Sequence, residues 1–338
     1  RSVKIHGVHG HCHSIASLIK TVNSYSLLNH LMQTNKRLIV INAVLLPLLV
    51  AAQSLSVVID NKQQKFHKQI PAANYSGIAN IGNNRFALVD DKSTDDGYYI
   101  FQINIDDATG KIEDVVNEGF VKTSNGNTDL EGIAYVPDKD SIYTKGEKHT
   151  GIESFTYNQH THRFWTITEV PLPADGKPAN PLNPVKNLLR LVSYDDDMNR
   201  VGEYLYEMDV PEAKKKGSNY VFGVSELCAL DDGKLLVLER EFYVPKLKIG
   251  AWCNCKIYIV DPLNKRSDAV LDKELLWFQK TKMTLFGRKL ANYEGMCIAK
   301  ANENGNIILL LVADSQHRYK GVMKDWFKTL VLRRNGTN

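Results

Sequence analysis

Residues 129–148 read DLEGIAYVPDKDSIYTKGEK, and the same plan returns three more times. It appears as SGIANIGNNRFALVDDKS at 76–93, as GVSELCALDDGKLLVLEREF at 223–242 and as NYEGMCIAKANENGNIILLLVADSQ at 292–316. Each copy has a short apolar strand opened by Gly or Glu, a polar turn, and a second apolar strand that ends on an acidic residue. A third strand usually follows, as in YYIFQINID after the first copy and CKIYIVDP after the third. Short β-branched and aromatic runs broken by Asp, Asn, Gly and Pro predict strands, and few segments are long and periodic enough for helices. Repeated antiparallel units that cannot bury both faces alone are stable when arranged radially. The expected fold class is therefore all-β, a β-propeller, and at roughly 40–50 residues per blade the chain length gives about six blades.

Outward from the repeats, the amino-terminal region has a different character. Residues 1–52 hold five basic residues and no acidic one. Met32 to Arg37 is a short basic start, LIVINAVLLPLLVAA at 38–52 is an apolar run, and Gln53 and Ser54 follow. That is the pattern of a secretory signal peptide. The run falls short of the ~20 residues of a spanning helix and is interrupted by Asn42 and Pro47; a retained anchor is the alternative, and a membrane is expected as a partner only through that segment if it is uncleaved. The expected organisation is a non-structural upstream segment at 1–31, a signal peptide at 32–52 and the propeller at 53–338, exported to the periplasm or the extracellular space. The His-rich string HGVHGHCH reads as part of the upstream segment rather than as a metal site.

Without residues 1–52 the balance becomes 37 basic to 38 acidic residues. A near-neutral domain lacks the clustered positive charge that nucleic acid requires. The loop-like stretches are Pro171–Pro184 and Pro211–Asn219, while the basic stretch Trp277–Leu290 reads as a solvated face or as a lining of the channel mouth. Four cysteines fall in the domain, at 228, 253, 255 and 297; an oxidising compartment permits disulfides, and pairing between blades and buried free thiols both stay open.

In a propeller the first strand of every blade lines the axis, so residues far apart in sequence converge. The acidic residues that open repeat strands are Asp129, Glu131, Glu226 and Glu294, and those that end second strands include Asp90, Asp91, Glu239, Glu241 and Asp314. Converging carboxylates repel unless a cation or shared protons offset them. Oxygen ligands of irregular geometry favour calcium, and Arg240 between Glu239 and Glu241 offers a second means of compensation. No organic cofactor is expected. There is no G-x-S-x-G elbow and no HExxH helix. His160 and His162 read as a turn, His317 at a strand end as a plain surface residue or a channel-facing general base, and Ser225 has no His near it in sequence.

With DLEGIA at 129–134, SELCALDDGKLLVLERE at 225–241, NYEGMCI at 292–298 and LLVADSQ at 310–316, the chain resembles the phytase-like family described by the esterase-like activity of phytase. The resemblance implies an exported propeller acting on phosphate or carboxylic esters, with Glu131, Glu226, Glu239, Arg240, Glu294 and Asp314 at motif positions. The Glu-Gly openings also resemble the gluconolactonase and strictosidine-synthase type of propeller, which implies a metal-binding Glu at 131 or 294 with Asn292 and Asp314 beside it. The chain is not similar enough to the calcium-rich alkaline phytases to imply phytate as substrate. The resulting expectation is a calcium-assisted ester hydrolase. Glu131, Asn292, Glu294 and Asp314 would hold the metal, Glu226 or Glu239 would take a proton from water, Arg240 would stabilise developing charge, and His317 would be a further base. The alternatives are a lactonase and a non-enzymatic extracellular propeller that binds glycan, peptide or protein and uses calcium structurally.

Overall fold

The computed structural model describes residues 55–146, 152–302 and 305–335, so the expected signal peptide, the upstream His-rich segment, Glu147 and His149 lie outside the described residues. Residues Leu55–Asn338 form one compact unit. Its described part is built of strands with two short 3-10 turns, and no helix in it is long and apolar enough to cross a membrane.

The chain begins with β1 (Leu55–Asp60) and β2 (Gln64–Lys65) and then winds through successive antiparallel sheets. Blade 1 is β3 (Tyr75–Asn80), β4 (Arg85–Asp90), β5 (Gly97–Ile105) and β6 (Ile112–Lys122). Blade 2 is the pair β7 (Leu130–Val136) and β8 (Ser141–Gly146). Blade 3 is β9 (Ile152–Asn158), β10 (Arg163–Thr168), β11 (Leu188–Tyr194) and β12 (Arg200–Glu207). Blade 4 is β13 (Asn219–Ala229), β14 (Leu235–Val244), β15 (Trp252–Val260) and β16 (Lys273–Lys282). Blade 5 is β17 (Asn292–Ala301), β18 (Asn306–Asp314) and β19 (Trp326–Arg334). β1 completes blade 5, pairing antiparallel with β19 from Leu55↔Arg334 to Asp60↔Leu330. First and last strands thus share a sheet, which closes the ring.

The core confirms that closure. Five apolar clusters occupy the blade-to-blade seams. Val89 and Ile133 share the cluster between blades 1 and 2, Val136 and Phe155 that between 2 and 3, and Trp165 and Val237 that between 3 and 4. Leu238 joins Leu311 between 4 and 5, and Leu88 joins Leu310 between 5 and 1. A blade packed on both faces needs apolar residues at successive positions, which explains the continuous runs LLVL in β14 and ILLLVA in β18. The propeller expected from the repeats is what the chain forms. The blade number differs: among the described residues there are five sheets instead of about six. Strands as long as 11 residues and the excursions 169–187, 208–218 and 261–272 raise the chain used per sheet above the usual 40–50 residues.

The innermost strands β3, β7, β9, β13 and β17 line a narrow axial cavity of about 130 Å³, with Ile78, Ile133, Phe155, Leu227 and Met296 contributing one residue each at matching positions. These strands approach so closely that a Cβ at Gly132 would lie 2.6 Å from the Phe155 Cβ, and one at Gly295 would lie 2.4 Å from the Ser76 carbonyl oxygen. The Glu-Gly pair therefore has a packing reason for its second residue: glycine admits the neighbouring backbone. The four domain cysteines are free and buried, so the open question between disulfides and thiols resolves to thiols. Cys228 and Cys297 sit at equivalent positions of adjacent inner strands, and burial pushes the Cys228 thiol up to about 12.

Candidate functional site

Each inner strand opens with an irregular register. Pairing skips a residue at Glu131 in β7, at Glu153 in β9, at Ser225 in β13 and at Glu294 in β17, and skips Ser76 and Gly77 in β3. A bulge of this kind re-aims side chains at the rim of a ring. The five strands then align as SGIA, EGIA, ESFT, SELC and EGMC, counted from the bulge. In this register Ser225, not Glu226, is the counterpart of Glu131 and Glu294. Glu226 takes the place of Gly132 and Gly295.

That shift decides the place of Glu226. It is buried, one of its carboxylate oxygens accepts from the Leu227 N–H at 3.0 Å, and its charge raises the Cys228 and Cys297 thiols. It stands on β13 one residue beyond the bulge, so the expectation of a base at the position of Glu131 and Glu294 falls instead on Ser225. The Ser225 hydroxyl is also buried and donates to the Tyr293 and Leu238 carbonyls, at 3.2 and 3.4 Å, so it is held by backbone and not by a histidine.

Arg240 and its neighbours alternate across β14. The Glu239 carboxylate accepts from the Tyr206 hydroxyl and from Lys273 Nζ, both at 2.6 Å, and Glu241 accepts from the Glu212 and Ala213 N–H groups, both at 2.9 Å. These two carboxylates anchor the 208–213 excursion. Burial raises Glu239 above the ordinary carboxylate range, against the opposing charge of Lys273. Glu239 therefore stands apart from the channel mouth, correcting its expected place beside the ester: strand alternation turns it away from Arg240.

Arg240 itself points to the mouth. It donates to Glu294, to Glu169 at 2.6 Å and to the Asn292 side-chain oxygen at 3.3 Å, while the Asn292 amide donates to Glu294 at 2.7 Å. Arg240, Asn292 and Glu294 are thus brought together, as a charge-compensated cluster rather than as part of one metal cage. Glu169 completes it and was missed in the sequence, although it follows a second strand just as Asp91 follows β4.

The other expected metal ligands divide. Glu131 joins Asp91 and Asp129, with one oxygen of each lying within 4.8 Å of the others. Ser76 donates to Glu131 at 2.8 Å, and Lys92 reaches Asp91 at 2.8 Å and Asp129 at 2.7 Å. Burial raises the Asp91 carboxyl, with Lys92 opposing, and its buried Oδ1 has no hydrogen-bond partner. Asp314 faces Asn292 across the β17–β18 ladder and accepts from the Gln316 N–H at 2.7 Å. Burial pushes its carboxyl up to about 7, with Asp91 adding to the rise and Arg240 opposing it. His317 is exposed at the rim, its Nδ1 3.3 Å from the Ala72 carbonyl, with a left-handed backbone at φ 51°. His162 lies in a turn beside Tyr157 and Asp196, as expected.

Arg240, Glu169, Asn292, Glu294, Asp314 and the grouping of Asp91, Asp129 and Glu131 sit where inner strands begin and second strands end, at one mouth of the channel. The basic stretch Trp277–Leu290 falls in β16, the outer strand of blade 4, and in the connection that leads from it to β17.

Comparison with known proteins adds the following. The family model described as Phytase-like, esterase-like activity of phytase, matches residues 138–317, and one described as SdiA-regulated matches residues 67–150. The comparison with curated proteins returned no match. Among solved structures, a streptogramin B lyase is similar at 11% identity over 83% of this chain and 98% of its own, with a TM-score of 0.30. The Cps50 (Swd1) β-propeller domain of Myceliophteria thermophila is similar at 10% identity over 82% and 99%, with a TM-score of 0.31. A member of the duf4221 family from Bacteroides vulgatus is similar at 8% identity over 83% and 99%, with a TM-score of 0.35. At these scores no property passes from those proteins to this chain.

Proposed function

The chain belongs to the phytase-like family described by the esterase-like activity of phytase, and from that premise we propose that it is an exported hydrolase of phosphate or carboxylic esters, acting at the acidic mouth of its axial channel. The observation that carries this reading is Asp314, buried at the mouth opposite Asn292, where burial pushes its carboxyl up to about 7, Asp91 adds to the rise and Arg240 opposes it. A group that exchanges protons near neutrality is suited to general acid–base work, and burial with a charged neighbour is how proteins produce one. Asp314 takes a proton from the attacking water and returns it to the leaving oxygen. Arg240, fixed by Glu169 and Glu294, keeps its positive charge beside the anionic oxygens that develop.

Calcium fits Asp91, Asp129 and Glu131 better than the four residues first expected. Three oxygen donors suit a hard cation, and the unpartnered buried Oδ1 of Asp91 is an acceptor awaiting a positive partner. When bound there, the ion would supply Lewis-acid and electrostatic stabilisation to substrate oxygens. Lys92, which bridges Asp91 and Asp129, would have to give way to it. The basic start and apolar run at 32–52 support export to the periplasm or the extracellular space.

A second reading is a non-enzymatic propeller that binds an extracellular ligand. It is favoured by the completeness of the Arg240 cluster, whose ion pairs also serve simply to join blades. The test is hydrolysis of matched phosphate and carboxylic esters by residues 53–338, with calcium supplied or chelated, beside the Asp314→Asn variant. Turnover that falls at least a hundredfold in the variant supports the hydrolase and names the ester class. Folded, calcium-loaded protein that turns over neither class, nor a lactone, leaves the binding reading in its place.

A further inference from the structure

At the end of the ring that carries Arg240 and Asp314, three connections of blades 4 and 5 are tied into one surface. They are residues 245–251, 283–291 and 315–325, which join β14 to β15, β16 to β17 and β18 to β19. The Gly250 N–H donates to the Met283 carbonyl at 3.0 Å, the Met283 N–H donates to the Ala251 carbonyl at 2.8 Å, and Arg288 donates to the Gly321 carbonyl at 3.4 Å. Lys248 Nζ stands 5.8 Å from the centre of the Tyr319 ring.

The composition of this surface departs from that of the domain. Residues 245–251 contain Lys246 and Lys248 and no acid, and residues 282–291 contain Lys282, Arg288 and Lys289 and no acid. The third connection adds Lys320 and Lys324, while its Asp325 is paired with Arg318. The domain as a whole is near neutral, so positive charge is concentrated here. Large apolar side chains project from the same loops: Leu247 is 87% exposed, Ile249 53%, Leu285 73% and Phe286 fully exposed. Between the loops lies a cavity of about 510 Å³ with Phe242, Val244, Met283 and Leu290 among its walls, so the apolar surface continues inward from the tips.

Apolar side chains held in water at loop tips need an apolar medium to repay their exposure. Lysines and arginines around them need a negative one. A bilayer bearing anionic lipids offers both within a few ångströms: headgroup charge outside and hydrocarbon below. We propose that this face docks on an anionic membrane surface, with Leu247, Ile249, Leu285 and Phe286 entering the headgroup boundary and the surrounding basic side chains meeting the lipid charge. This contact is separate from any amino-terminal anchor and needs no catalytic activity.

The test is co-sedimentation of residues 53–338, whose strands pair and pack within the one unit, with vesicles of phosphatidylcholine alone or mixed with phosphatidylserine. The protein is expected to sediment with the mixed vesicles and to stay in solution with the neutral ones. The paired variants Leu285→Ser with Phe286→Ser, and Lys246→Glu with Lys248→Glu, are each expected to weaken binding by about tenfold or more, and raised salt is expected to release the native protein. Both pairs are exposed, so unchanged melting curves will show that the fold is intact. Absence of binding to mixed vesicles overturns the proposal, as does binding that ignores both variant pairs. Self-association abolished by the Leu285 and Phe286 changes, without vesicle binding, overturns it in favour of an interface between copies of this chain.

Discussion

Arg240 on β14 donates to Glu294 on β17, and its other arm reaches Glu169 beyond β10, so one guanidinium links blades 3, 4 and 5 at the channel mouth. Replacing Arg240 by Met would leave two carboxylates facing each other without their cation. Loss of one member of a buried pair costs about 3–5 kcal/mol, and because both glutamates are partly exposed the lower end is expected. Urea denaturation of the native protein and the Arg240→Met variant measures this; a loss under about 1 kcal/mol would show that the link contributes little.

Asp314 predicts a dependence on pH with a definite sign. Its folded carboxyl titrates near 7 against an ordinary 3.8. Below about 4 it is protonated folded and unfolded alike; as pH rises the unfolded chain ionises first, so stability falls until about 7 and is then level. Asp314→Asn removes that fall. The variant should match the native protein at pH 4 and exceed it at pH 8 in denaturation midpoint, and equal midpoints at pH 8 would contradict the raised carboxyl.

The two acidic groupings make different predictions for calcium. Asp91→Asn combined with Asp129→Asn should reduce calcium affinity in titration calorimetry by about tenfold or more, since ligand charge sets affinity. Glu294→Gln should leave it within about twofold, because that carboxylate is committed to Arg240. The reverse order would return the metal to the β17 residues.

Gly295→Ala and Gly132→Ala test the inner ring. Each added methyl meets a neighbouring strand at under 3 Å, and overpacking of this kind costs about 1–3 kcal/mol. Melting temperatures should fall in both variants. Gly176→Ala is an unsuitable control despite its open surroundings, because its φ of 139° carries its own strain.

The repeats were legible because each inner strand and its partner carry an apolar run bounded by turn residues, and four of the five are openly alike. The fifth, ESFT at 153–156, escaped because it has Ser154 and Phe155 where EGIA and EGMC have Gly followed by an aliphatic residue. The convergence of Arg240 with Glu294 was readable as a means of charge compensation, but the alignment of Glu226 with Glu131 was not. Residue type suggested that match, whereas the bulge counts one residue earlier and makes Ser225 the counterpart. A register shift leaves no mark in composition. Glu239 was misplaced for a related reason: adjacency to Arg240 in sequence means the opposite face in a strand.

The pairing of Leu55 with Arg334 also governs how the protein is made. A ribosome delivers β1 near the start of the domain and β19 at its end, so the first strand has no partner until synthesis of the domain is almost complete. Contacts this distant are slow to form, and an unpaired strand edge is an invitation to other chains. The nascent propeller therefore depends on whatever shields Leu55–Asp60 during that interval, and an early stop before Trp326 would leave the ring open for good.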